Sequence, residues 1–406
     1  MAQTKKSGAG KSGGRSSKKG PDIAGQTARK TARTAAKKTA AKSTGLDPVL
    51  KKEIGILLLA GIGLALIASA THGEALAAGR NRYVLRQGIF LAVDLLLAAG
   101  ILTMDYHSLK RIAWPLYGFT VLLLLGVMFF GHASLGARRW IQLGPVTFQP
   151  SEFSKAFMIT CLAAFLDERS EYLEQWKDYL PACLFMLVPF ALVLRQPDLG
   201  TALVFAAIAF SMFWVCGFKM KWIAALAGAF VCVAPVLWRF LHEYQKNRIR
   251  VFLDPELDPF GAGYHVIQSK IAIGSGMLWG KGWMQGTQSQ LDFLPENHTD
   301  FIFAVAGEEF GFIGAIIILL LYMVLIWRGL TIALNAEDRF GTLLASGIIG
   351  MYLFHVLVNV GMTIGIMPVT GVPLPFLSYG VSSLTTNMLM AGVLLNINLR
   401  HTRLQF

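Results

Sequence analysis

The chain has 406 residues, of which 54% are hydrophobic and only 15% charged, with a mean hydropathy of +0.52. Soluble domains carry about a quarter charged residues, so the composition excludes an ordinary soluble protein and indicates an integral membrane protein. The formal net charge is +13, but residues 1–50 hold twelve Lys/Arg against Asp22 and Asp47, so +10 sits in this tail and +3 in the remainder.

The tail has no apolar run and cannot bury a core. It reads as a disordered basic cytoplasmic arm drawn to anionic lipid, at about 1 kcal/mol per Lys or Arg near such a surface. A transit peptide or a nucleic-acid-binding arm shares this composition, although no nucleic acid partner is expected. The first thirty residues lack the apolar stretch and cleavage site of a signal peptide. Residues 51–406 form the membrane domain.

Apolar runs long enough to cross about 30 Å of hydrocarbon fall at 53–72, 86–105, 112–131, 151–167, 179–195, 199–217, 221–241, 301–327, 340–363 and 382–399. They are continuous rather than alternating, which argues against a β-barrel. The expected fold is therefore an all-α integral membrane protein, a bundle of about ten transmembrane helices. Lys110, Arg111, Lys219, Lys221, Arg328, Arg400 and Arg403 cluster at alternate span ends, as the positive-inside rule requires. Both termini are then cytoplasmic, and a large extracytoplasmic loop covers about 242–300. Cys161, Cys183, Cys216 and Cys232 lie in apolar stretches without metal-ligand spacing and read as packing residues, not a disulfide framework.

This topology puts four polar segments on the outer face. The first, 132–150, carries Arg138 and Arg139, forked donors suited to phosphate, and ends in Gln149. Pro150-Ser151-Glu152 then resembles a helix start. Glu152 and Lys155, three residues apart, are either a salt bridge at the helix mouth or part of a charged cavity wall. The second segment, 195–200, contains Gln196 and Asp198, and Asp198 suits a helix N-cap.

The third segment is the long loop. Within it, Tyr264–Leu278 has an amphipathic stripe, read as a helix at the membrane interface or a lid on the bundle. It also brings Lys246, Arg248 and Arg250, and the glycine-rich 274–282, which lacks a nucleotide fingerprint and reads as a flexible loop. It ends in Phe293-Leu294-Pro295-Glu296-Asn297-His298-Thr299-Asp300. Charge at the mouth of a membrane helix is costly and usually kept for a purpose. Asp300 is either an N-cap for the next helix or a catalytic group. Glu308 and Glu309 sit about 12–13 Å deeper, where acids need partners. The fourth segment, 364–381, is too proline-rich for helix, and irregular backbone at membrane depth must be buried in protein or line a wet cavity. His355 and Asn359 on the preceding helix read as interhelical glue.

GARRWIQLGPVTFQPSE, RQPDLGTAL, GTQSQLDFLPENHTDFIFAVAGEEFGFIG and GVPLPFLSYG resemble, in order, the signature segments of the SEDS (shape, elongation, division and sporulation) family across residues 50–400. The GTQSQLDFLPE wording is similar to the RodA (rod-shape) branch rather than the FtsW (division) branch. One departure is Val381, where the family commonly has a second glycine.

The resemblance implies a peptidoglycan glycosyltransferase in the inner (plasma) membrane, with its site on the extracytoplasmic face. It would polymerise lipid II for elongation and rod shape, beside a class B penicillin-binding protein and the elongation machinery. The family's essential aspartate falls on Asp300. The candidate substrate-binding residues are Arg138, Arg139, Gln149, Glu152, Lys155, Gln196, Asp198, Arg248, Glu296, His298, Thr299, Ser378 and Tyr379.

By the resemblance, an α-linked donor gives a β-1,4 product with release of undecaprenyl diphosphate. That is one inverting displacement needing one base, unlike a retaining glycosidase with two carboxylates about 5 Å apart. An ordinary Asp is too weak to ionise a free sugar hydroxyl, so it must take the proton late, where general-base help is worth about 10²–10⁴-fold. Cationic side chains or a divalent cation, Mg or Mn, could meet the pyrophosphate charge; no ligand spacing decides between them. The rival readings are a division-type polymerase, a lipid II flippase and a non-enzymatic scaffold.

Overall fold

The computed structural model describes residues 54–79, 81–134, 137–143, 146–169, 175–222, 243–259 and 261–401, with isolated residues between 224 and 239. The basic tail, Arg403 and most of the span expected at 221–241 lie outside the described residues. The other nine expected spans are helices: α1 (Ile54–Ala70), α2 (Arg82–Thr103), α3 (Ala113–Phe130), α4 (Pro150–Glu168), α5 (Leu180–Arg195), α6 (Leu199–Val215), and, after α7 and α8 of the long loop (Glu243–Leu253 and Ala262–Ser275), α9 (Ile302–Leu334), α10 (Arg339–Thr363) and α11 (Val381–His401). Val381, the departure from the family pattern, simply opens α11.

Helices α2, α3, α5 with its preceding turn, α9 and α10 are each long and apolar enough to cross a membrane. Helix α4 carries more polar groups, and it is sheathed by the bundle: from Pro150 to Leu166 only Phe153 and Phe157 are not fully buried. It packs on α3, α10 and α11, and α10 also packs on α6 and α9. The outermost surface of α2 is instead apolar and exposed, as a lipid-facing helix requires.

One segment departs from the helical expectation. Residues 132–150, expected only as a polar segment, contain a three-stranded antiparallel sheet: β1 (His132–Ser134), β2 (Ala137–Leu143) and β3 (Val146–Phe148), in the order β1-β2-β3. Its strands are too short and mixed to signal themselves in sequence. Pairing satisfies backbone groups that would otherwise be left open beside the membrane.

The glycine-rich 274–282 is packed, not a flexible loop. Helix α9 breaks at Gly311 (φ 66°, ψ −163°), which frees backbone groups on both sides of the break. The glycine-rich segment takes them up: Lys281 and Gly282 N–H donate to the carbonyls of Glu308 and Glu309 (3.0 and 2.9 Å), while Phe312 and Ile313 N–H donate to Met277 and Leu278 (2.8 and 3.2 Å). A Cβ on Gly311 would stand 2.3 Å from the Gly280 nitrogen. Gly311→Ala therefore meets both backbone clash and a glycine-only conformation, for which about 1–3 kcal/mol is the strain alone. A marked loss of thermal stability in detergent is the expected result; an unchanged melting temperature would show that this break is soft.

Candidate active site

A cavity of about 1070 Å³ opens where the ends of these helices meet. Its walls come from helix starts, the small sheet and the long loop with its helix α7. Gln149, Glu152 and Lys155 belong to the entry of α4, Asp198 and Thr201 to that of α6, and Ser382 and Ser383 to the first turn of α11. The long loop adds Arg248, Glu296, Thr299 and Asp300, the sheet adds Arg139, and 370–373 with Tyr379 close the remaining side.

Asp300 is not spent on capping. The N-cap of α9 is Phe301, with no side-chain capping bond. Only the Asp300 carbonyl is held, by the Asn359 amide at 2.9 Å. No described residue donates a hydrogen bond to its carboxylate, which lies against Gly371 (φ 73°), where a Cβ would be 3.3 Å from Oδ2. Burial pushes the Asp300 carboxyl up to about 6; the neighbouring Glu296 adds to this, and Arg248 and Arg139 oppose it. A carboxylate with free lone pairs and a pKa near neutrality is suited to general-base work.

The chain reaches Asp300 through a tight turn. Glu296 adopts a left-handed conformation (φ 52°), its carboxylate accepts from the Thr299 hydroxyl at 2.8 Å, and Phe301 N–H returns to its carbonyl at 3.2 Å. Across the cavity, Arg139 donates to the carbonyls of Gln196 (3.1 Å) and Pro197 and lies 3.8 Å from Asp198. Asp198 caps α6 through Thr201 N–H at 3.2 Å, so its capping and cavity readings both hold. Glu152 and Lys155 likewise combine the two readings: their 2.7 Å ion pair is buried, and both line the cavity.

The proline-rich 364–380 segment has no ladder for its carbonyls, so side chains supply the donors. Arg248 holds Val369 (2.9 Å), Asn359 holds Val372 (2.8 Å), His355 Nδ1 holds Pro373 (2.9 Å) and the Tyr322 hydroxyl holds Pro375. Because Nδ1 of His355 must donate to a carbonyl, Nε2 accepts from Lys155 at 3.2 Å. His355 and Asn359 thus fix the loop beside Asp300 rather than merely joining helices.

Gln196, His298 and Ser378 stand behind the cavity wall rather than on it. Gln196 donates to the Leu124 carbonyl (2.9 Å), and the Ser378 hydroxyl donates to Thr299 and accepts from Leu374. The His298 ring packs 4.9 Å from Tyr83 and 5.7 Å from Tyr379. Arg138 lies in β2, with its side chain outside the described residues. Cavity residues that sequence reasoning passed over include Asn247, Asp258, Thr370, Ser382 and Ser383. Asn247 adjoins Arg248, and the two serines directly follow the Ser378-Tyr379 motif, which was the available signal.

Glu308 accepts from Lys281 (2.8 Å), from the backbone of Gln288 and Ser289 and from two hydroxyls. Ser69 donates to Glu309. Both acids clamp the loop and α1 onto α9, which is the partnership their depth demanded. Among the described residues no three His, Cys, Asp or Glu side chains converge to hold a metal ion.

Fold and site together define a multi-pass membrane protein with a cavity, lined by both carboxylates and cations, at one end of its bundle. The chain belongs to the FtsW/RodA/SpoVE family, described as cell cycle proteins, whose pattern matches residues 52–403. It is 47% identical over 284 residues to the peptidoglycan glycosyltransferase MrdB of Escherichia coli, covering 70% of this chain and 76% of that one. Its fold is similar to the rod shape determining protein RodA of Thermus thermophilus (TM-score 0.64, 31% identity, 88% and 97% of the two chains). It is also similar to a chain from a structure described as "Structural coordination of polymerization and crosslinking by a peptidoglycan synthase complex" (TM-score 0.72, 33% identity, 86% and 98%).

Proposed function

We propose that this chain is a peptidoglycan glycosyltransferase that polymerises lipid II on the extracytoplasmic face of the plasma membrane, serving elongation and rod shape. The observation that carries this reading is the Asp300 carboxylate, not used as a helix cap and given no hydrogen bond by any described residue, on a cavity wall shared with Arg139 and Arg248. Asp300 accepts the acceptor hydroxyl proton as the new bond to the anomeric carbon forms. Arg139 and Arg248 face the charge that develops on the leaving pyrophosphate, in a site where fixed donors act with little reorganisation. Lys155 adds a third positive charge deeper in the cavity, held by Glu152.

Relatives named for rod shape and for a synthase complex support the elongation role and a partner that crosslinks the product, of the class B penicillin-binding type. The basic tail serves as a membrane-surface arm. A flippase would need a site open to both sides, whereas the walls here are the starts of α4, α6 and α11 with the sheet and the long loop beside them.

Purified protein supplied with the partner synthase and labelled lipid II should yield glycan polymer; lipid scrambling without polymer would favour transport instead. The pH profile gives an independent reading. Only ionised Asp300 can accept a proton, so the rate should fall about tenfold per pH unit below about 6 and level off above it. A profile flat between pH 5 and 7 would remove Asp300 from the proton transfer.

A further inference from the structure

Arg82 and Arg86 lie one turn apart on α2, so they share a helix face. With Leu85, Ile89 and Phe90 they frame a cleft of about 290 Å³ separate from the cavity. Leu85 and Ile89 are 50% and 54% exposed, so this face looks at hydrocarbon rather than protein. Neither guanidinium has a hydrogen-bond or ion-pair partner among the described residues.

The placement runs against ordinary topology. The start of α2 is on the cavity side of the bundle: Gln87 donates to the Ser378 carbonyl (3.3 Å) and accepts from Gly380 N–H (3.3 Å), and Tyr83 packs 5.1 Å from Tyr379 on the cavity rim. On the outer face, unpaired arginines beside a short loop oppose the usual positive-inside bias, and a guanidinium at the edge of hydrocarbon is retained for a purpose. Two forked donors above an apolar strip match one chemistry, a phosphate or pyrophosphate head on a long hydrocarbon chain.

We propose that Arg82 and Arg86 form a binding site for the pyrophosphate of a polyprenyl-linked lipid, with its chain lying along Leu85, Ile89 and Phe90. The identity of this occupant rests on the glycosyltransferase reading. Tyr83 and Gln87, each adjacent in sequence to one of the two arginines, touch the loop that closes the cavity, so a head group held here lies at the cavity rim. The site holds the pyrophosphate of the acceptor lipid, whose reacting hydroxyl lies at the far end of its sugars and reaches inside, while the donor's pyrophosphate, bonded to the anomeric carbon, stays in the cavity beside Arg139 and Arg248.

The test uses full-length protein and two readouts. Native mass spectrometry of the delipidated protein should show retention of added undecaprenyl pyrophosphate, lost at least tenfold in Arg82→Gln/Arg86→Gln and partly kept in Arg82→Lys/Arg86→Lys, with phosphatidylglycerol retention unaltered. Polymerisation assays should show KM for lipid II raised about tenfold in the glutamine variant, with a smaller change in kcat. Equal undecaprenyl pyrophosphate retention by wild type and variant overturns the site. So does a variant that loses phosphatidylglycerol alone, which would make the pair a general interfacial anchor. The binding readout stands even if wild-type protein makes no polymer, so failure of the site and failure of the function are separable.

Discussion

Asp300→Asn is expected to remove polymerisation while leaving a protein that melts at a higher temperature. The substitution keeps size and shape but takes away the proton acceptor, a loss of about 10²–10⁴-fold at least. The stability gain follows from the raised carboxyl. A group whose folded pKa lies above its unfolded value favours the fold at low pH and loses that contribution as pH rises through the folded pKa. For Asp300 the window runs from about 3.8 to about 6, so at pH 7 the wild type bears a penalty that a neutral amide avoids. Partial exposure to the cavity keeps this gain to about 1–3 kcal/mol. Lipid II polymerisation and thermal unfolding in detergent, measured on the same preparation, check both halves. Polymer from the variant at wild-type rate would end the assignment; inactivity with a lowered melting temperature would mean that Asp300 is chiefly structural.

Lys155→Met is expected to give the largest destabilisation of any single cavity substitution. Lys155 and Glu152 are 2% and 3% exposed, and the ammonium also meets His355. Removing the cation leaves Glu152 with an uncompensated charge inside the bundle, at a cost of about 3–5 kcal/mol. It also removes the donor on His355 Nε2, and His355 in turn holds Pro373 of the loop beside Asp300. Glu152→Gln/Lys155→Met, which removes both charges, should recover most of the lost stability without recovering activity, because the cavity has still lost its deep cation. Thermal unfolding of the wild type and both variants checks this, and equal melting of the single and double variants would show that the pair is not energetically coupled.

Much of the architecture was legible because hydrocarbon imposes a simple pattern. Nine expected spans are helices, read from the length of their apolar runs without any tertiary information. The motifs also brought Asp300, Arg139, Glu152, Lys155, Asp198 and Arg248 to attention, because charge beside an apolar run is costly. What could not be read was which polar groups face the cavity and which secure the walls. Gln196, His298 and Ser378 sit in the same motifs as the lining residues, yet they bond to neighbouring backbone or rings behind the wall. The short sheet gave no periodicity to detect. The glycines at 274–282 resembled looseness, but their missing side chains permit close backbone packing.

Taken alone, the sequence determined the membrane class, the helical order and the family, since each rests on composition, run length or contiguous motifs. Only the tertiary structure decided the state of Asp300. Helix α9 takes Phe301 as its cap, Asn359 draws the Asp300 carbonyl aside, and burial beside Glu296 lifts the carboxyl toward neutrality. Those outcomes depend on side chains distant in the chain converging at one point, and local sequence carries no record of such convergence.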